Sequence, residues 1–262
     1  MKRIITKTLS TLALLVAASQ AIFAQDVNGR ASLEADWKAF KGFHITAGYE
    51  ARSQDAFSGI ERNQFSLGAS YKLSKHFKAG LDYIFIGHYG NSSGEFKPRH
   101  RLSANLTGTV DAGLWRFSLK EKLQLTHKAS DVNRYQEVLN PLTLKSRLTV
   151  KYRGLNAVEP YLYAEVRNIF NAPRCSATYN SATDKWSDYE FLGYDHAYVN
   201  RVRGAVGLEW KLSKSHSLDF TAMYNFHHEL EIDTNSSGSK LKSYGWESPQ
   251  TLTLCVGYKF SF

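Results

Sequence analysis

Two-residue alternation of apolar and polar side chains, sustained along almost the whole chain, limits the fold more than any other feature. In Ala31–Ala39 one parity carries Ala31, Leu33, Ala35, Trp37 and Ala39, and the other Ser32, Glu34, Asp36 and Lys38. A helix would spread those charges around its circumference, whereas a strand sorts them onto two faces. The pattern recurs in Phe43–Ala51, Phe65–Leu73, Phe77–Tyr89, Leu102–Val110, Trp115–Leu125, Leu142–Tyr152, Leu162–Phe170, Tyr198–Leu212, Leu218–Phe226 and Leu252–Phe262. Each segment is long enough to cross a bilayer as a tilted strand, for which about 9–11 residues suffice.

The connections alternate in length. Short turns fall at Lys41-Gly42, Ser74–His76, Asp111–Gly113, Gly154–Val158 and Ser213–Ser215; longer polar stretches fall at Ser53–Gly59, Gly90–Lys97, Ala129–Asn140, Ala172–His196 and Asp233–Trp246. That rhythm fits an outer-membrane barrel with short periplasmic turns and long extracellular loops, and not a soluble sandwich. The expected fold is all-β: a closed antiparallel transmembrane β-barrel of 10–12 strands. An odd count starts the first strand on the outer side, so either that strand is an extra element or Trp186–Leu192 hides another.

Composition agrees. Aromatic residues make up 13% of the chain, yet mean hydropathy is −0.38, which is what in/out alternation leaves behind. The rings exclude disorder, and two cysteines exclude a disulfide scaffold. Residues 1–24 have a cationic start (Lys2, Arg3, Lys7), a short apolar core (Leu12–Ala18) and a small-residue cut after Ala24, with Ser19-Gln20-Ala21 offering an alternative cut after Ala21. They read as a cleaved signal peptide, with 25–262 a single barrel domain bound for the bacterial outer membrane. Cleavage removes three of the cations behind the formal charge of +9. The remaining basic excess alternates with apolar residues in an exported chain, so nucleic acid is not the expected partner.

Aromatics cluster near the strand ends, with Trp37, Phe77, Trp115, Tyr152, Trp210, Tyr258 and Phe260 by the short turns, and Tyr49, Phe85, Tyr198 and Phe226 by the long loops. This is the girdle pattern of a barrel in lipid. The ending Tyr258-Lys259-Phe260-Ser261-Phe262 resembles terminal strands read by the barrel-insertion machinery. Arg99-His100-Arg101, the basic strand Arg147–Gly154 (RLTVKYRG), Glu159–Asn171 and the Asn200-Arg201-Val202-Arg203 core of Tyr198–Leu212 carry a further likeness. Through them the chain resembles the bacterial outer-membrane barrels of the domain-of-unknown-function 2490 family. That resemblance implies location and fold only.

With apolar positions outward, the other parity faces the lumen and is strongly basic. Its densest part is a wall of Arg101, Arg116, Lys120, Lys145, Arg147, Arg167, Arg201 and Arg203, faced by the acids Glu50, Asp82, Glu165 and Glu209. Such a wall either attracts small anions or fills a narrow barrel with salt-bridged side chains. The expected function is a narrow pore-like or structural barrel that passes or binds small anionic solutes. A second reading is surface binding or adhesion through the long loops, where Tyr179, Trp186, Tyr189 and Tyr194 gather. A third is an outer-membrane lipid- or peptide-modifying enzyme drawing on His44, His88, His227, Asp82, Asp219, Glu229 and Ser66 or Ser70; no local catalytic signature supports it. No cofactor or metal is expected: His227 and His228 are adjacent on a strand and point to opposite faces. Cys175 lies in a loop and Cys255 on an inward strand position, so pairing is open.

Glu121 breaks the pattern. It falls on the outward parity between Leu119 and Leu123, where an acid is unfavourable. A bulge, a shifted register or a subunit contact shared with Ser146 and Asn168 each accounts for it.

Overall fold

The computed structural model describes residues 26–54, 57–89, 95–129, 132–183 and 185–262; the expected signal peptide lies outside them. Its elements are all strands: β1 (Asp26–Phe40), β2 (Phe43–Gln54), β3 (Gly59–Lys72), β4 (Phe77–Tyr89), β5 (Phe96–Ala112), β6 (Trp115–Lys128), β7 (Leu142–Tyr152), β8 (Val158–Asn180), β9 (Lys185–Lys211), β10 (His216–His227), β11 (Glu229–Thr234), β12 (Leu241–Glu247) and β13 (Gln250–Ser261). Eleven of them close into a barrel in the order β1-β13-β10-β9-β8-β7-β6-β5-β4-β3-β2, while β11 and β12 form a separate hairpin.

Neighbouring barrel strands are antiparallel except at closure, where β1 and β13 run parallel with Asp26 beside Thr251 and Asp36 beside Ser261. An up-and-down chain with an odd number of barrel strands returns its last strand in the direction of its first, so the final pair has no other choice. The seam is closed by backbone bonds from Lys38 N–H to Phe262 O (2.9 Å) and from Phe262 N–H to Asp36 O (3.0 Å). Lys259 adds ion pairs to Glu34 (2.7 Å) and Asp36 (3.2 Å). Closure gives each of the eleven barrel strands a neighbour on both sides, which is its advantage for strands this long.

The faces sort as the alternation predicts. Leu67, Leu81 and Leu102 are 58%, 67% and 60% exposed on the outside, while Gln64, Ser103 and Gln124 on the other parity are buried. The aromatic ends pack in cross-strand pairs, Trp115 on Tyr152 and Tyr49 on Phe65.

Two expected long loops are structured. Ala172–His196 is the extension of β8 and β9 into one tall hairpin, in which Tyr179 faces Trp186; Trp186–Leu192 is therefore part of β9 and not a further barrel strand. Register shifts at Ile169/Ala172 and Arg174/Cys175 bend the ladder there, and these local breaks in alternation are what read as loop. Asp233–Trp246 carries most of the β11–β12 hairpin.

Glu121 sits directly between Leu106 and Ser146 in ladders without any register shift. The bulge and the slipped register are thereby removed as explanations. Its carboxylate accepts a 2.6 Å bond from the Ser146 hydroxyl on the adjacent strand. That bond only partly offsets placing an acid among leucines, so Glu121→Leu is expected to stabilise the barrel in bilayers by about 1 kcal/mol. Urea titration in lipid vesicles checks this, and a loss of stability would show that the carboxylate meets a polar group from another chain.

Candidate functional site

Inward side chains on adjacent strands meet at register-paired positions, so the ladder dictates which charges become neighbours. Glu165 on β8 lies opposite Arg147 on β7 and Arg203 on β9. Its carboxylate accepts from Arg147 Nε at 2.9 Å and from Arg201 at 2.8 Å, with Arg203 at 3.4 Å. Only 3% of Glu165 is exposed. Three guanidiniums around one buried carboxylate form the electrostatic centre of the barrel. Arg203 is further held by Asn225 (2.6 Å), and the Arg147 guanidinium stacks 4.3 Å over Tyr163.

Below this centre, on β8–β10, the lumen is packed. Tyr163, Ala205 and Met223 form a buried cluster with Tyr161 and Cys255 against it. Tyr161 donates to Asp219 at 2.8 Å and meets Thr221 at 2.6 Å. The ring occupies the space a side chain would take at Gly207, its register partner. These are inward positions filled by rings and a thioether, which is the sequence signal that could have revealed the packing.

Across the lumen the side chains leave room. A cavity of about 310 Å³ runs from β1–β3 to β5–β8, lined by six cations (Arg52, Arg101, Lys120, Lys122, Lys145, Arg147) against Glu34, Glu50 and Glu165, with Gln64 and Gln124 among its neutral groups. Of the expected wall, Arg101, Lys120, Lys145 and Arg147 face this cavity, and Arg201 and Arg203 stand behind it on Glu165. Arg167 lies nearer the long loops, bonded to Asn200 (2.7 Å) and 3.4 Å from Glu229.

Arg116 does not belong to the wall. It sits at the short-turn end in a two-pronged pair with Asp111, at 2.7 and 2.9 Å, because it is the inward residue next to the tight β5–β6 turn. The acids are all engaged: Glu50 by Arg52 (2.6 Å) and Arg30 (3.5 Å), Asp82 by Lys122 (2.8 Å), and Glu209 by Lys151. Arg30 and Gln64 share the inward parity but each lies one residue before the alternating segments Ala31–Ala39 and Phe65–Leu73.

The long-loop rings divide into two groups. Tyr179 stacks on Trp186 (4.9 Å), which meets Tyr244 of β12 (5.8 Å). Tyr194 packs on Phe191 (5.1 Å), which meets Tyr135 (5.5 Å), and donates to the Arg134 carbonyl (2.6 Å). The Tyr189 hydroxyl is buried without a partner among the described residues. In the same crown Gln136 donates to Asp233 (2.7 Å). Partial desolvation works to raise the Glu137 carboxyl, but the Lys128 ammonium beside it, with Arg99 and Lys97, holds it below its ordinary value.

The three candidate histidines are each engaged by an oxygen other than a serine hydroxyl: His44 by Asp36 (3.0 Å), His88 by the Tyr89 carbonyl (3.0 Å) and His227 by Glu229 (3.2 Å). Cys175 and Cys255 are free thiols, and no cluster of metal-ligating side chains occurs among the described residues.

Comparison with curated proteins finds no match. Similar solved structures include an anion-selective porin from Comamonas acidovorans, 12% identical with a TM-score of 0.35, covering 83% of this chain and 53% of that one. Another is the copper transporter OprC, 9% identical with a TM-score of 0.32, covering 90% of this chain and 44% of that one. The chain thus spans about half the length of these structures. Residues 31–235 match the family described as protein of unknown function, DUF2490, and the chain belongs to that family.

Proposed function

We propose that the mature chain is a bacterial outer-membrane barrel that passes small anions along a narrow, base-lined half-lumen. The observation that carries this reading is the cavity wall, where six cations face three carboxylates while the opposite side is closed by Tyr161, Tyr163 and Met223. A low-dielectric wall concentrates the field of those cations and with it the local anion concentration. Outer-membrane lipid and the insertion machinery are the partners such a barrel needs.

The test is planar-bilayer conductance in a potassium chloride gradient. The reversal potential is expected on the anion-selective side, with the anion-to-cation permeability ratio falling about tenfold in the Lys120→Gln/Lys145→Gln variant. A cation-selective wild type would overturn the proposal.

A second reading rests on the stacked Tyr179, Trp186 and Tyr244 rings, with Tyr179 48% exposed: a surface-binding role for the tall hairpin. A silent bilayer favours it.

A further inference from the structure

We infer that the cavity contains a site for a phosphate-class oxyanion, held by Arg101, Lys120 and Lys145 with Gln64 as a neutral donor. The inference deepens the anion reading above and rests on it.

Three observations converge. First, the acids around the cavity are already committed. Lys259 holds Glu34 at 2.7 Å, Arg52 and Arg30 hold Glu50, and three arginines hold Glu165, while Lys122 and Asn105 hold Asp82, outside the lining, at 2.8 and 3.1 Å. Arg101, Lys120 and Lys145 line the same cavity with no ion pair among the described residues; Arg101 has only the Thr126 hydroxyl, at 2.9 Å.

Second, the register sets like charges face to face: Lys122 opposite Lys145, Lys120 opposite Arg147, and Lys145 opposite Arg167. Directly opposed like charges are destabilising, and an anion between them reverses the sign. Third, Gln64 lines that cavity, and its Nε2 is buried without a hydrogen-bond partner. A buried donor left unmade is costly unless a ligand accepts from it.

The chemistry selects the ligand class. Two ammoniums, a guanidinium and an amide present convergent donors to several acceptor oxygens carrying about two charges, which a tetrahedral oxyanion offers and a halide does not. At about 310 Å³ the cavity holds such an ion with several waters, each needing about 30 Å³.

The test is calorimetric titration of the detergent-solubilised full barrel with inorganic phosphate, sulfate and chloride at constant ionic strength. Saturable binding of phosphate and sulfate is expected, at least about tenfold tighter than chloride. Phosphate affinity should rise relative to sulfate affinity as pH passes phosphate's second ionisation, because sulfate keeps its charge there and any change in the site's own lysines acts on both ions alike.

Lys120→Gln/Lys145→Gln and, separately, Gln64→Glu should each weaken binding about tenfold or more; the second keeps the side-chain shape should the first misfold. Arg116→Gln, whose parent is occupied by Asp111 at the short-turn end, should bind as the parent does. Glycerol 3-phosphate distinguishes a site for esterified phosphate from one for the free ion. Equal affinity for chloride, or unchanged binding in both site variants, overturns the inference. Anion-selective conductance without saturable phosphate binding sinks the site and leaves the pore; saturable binding with a silent bilayer does the reverse.

Discussion

Glu165→Gln is expected to destabilise the barrel by about 3–5 kcal/mol, the range for removing one partner of a buried charge network. The substitution keeps the shape and leaves Arg147, Arg201 and Arg203 around a neutral amide; all three are within 3.4 Å of the present carboxylate. Two of them, Arg201 and Arg203, are themselves buried, so water screens their repulsion poorly. Urea unfolding in lipid vesicles, followed by tryptophan fluorescence, measures the loss.

Glu137→Gln is the control. Glu137 also pairs with a cation, Lys128, but its side chain is 59% exposed in a loop, so it should lose less than about 1 kcal/mol. Adding Arg147→Gln to Glu165→Gln should recover part of the loss, since it removes one of the stranded charges; a coupling of about 0.5–3 kcal/mol is the usual scale for such neighbours. If Glu165→Gln costs no more than Glu137→Gln, the lumen centre is wet enough that the carboxylate is dispensable.

This centre was half legible in the sequence. Parity placed Glu165, Arg147 and Arg203 on one face, because a strand leaves no other choice. The partner assignment was out of reach: it depends on register between strands, which turn length and sheet closure fix together. Arg116 falls outside the wall for a different reason, one that the short Asp111–Gly113 turn just before it already carries. Its parity is inward, but depth along the barrel follows from which residue begins the strand after Gly113, and the pairing of Asp111 with Arg116 puts it at the rim.

The parallel seam follows from the strand count, yet alternation counts segments without saying which pair closes. The β8–β9 extension escaped because its bulges interrupt the two-residue rhythm. Outward leucines read clearly since lipid-facing positions admit little else; inward Tyr161, Tyr163 and Met223 look the same by composition and differ only in parity.

Those inward rings give the second large effect. Gly207→Ala is expected to destabilise the barrel by about 2–4 kcal/mol. A Cβ at this position falls 2.7 Å from Tyr161 Cε2 and closer still to Cζ, so the ring must leave. In leaving it surrenders its bonds to Asp219 (2.8 Å) and Thr221 (2.6 Å). A hydrogen bond to a charged acceptor contributes about 1.5–3 kcal/mol, and overpacking a filled site costs about 1–3 kcal/mol; the two overlap because relief of the clash is what breaks the bonds. The decisive comparison is a cycle in urea with Tyr161→Ala. With the ring gone, the three nearest clashes at Gly207 go with it, and Ala suits a strand interior better than Gly by about 0.5–1 kcal/mol. The substitution should therefore be neutral or stabilising in that background. A loss of the same size with and without the Tyr161 ring would mean that Gly207 serves the backbone of β9 and not the packing of the lumen, and that the closed half of the barrel is held by other contacts.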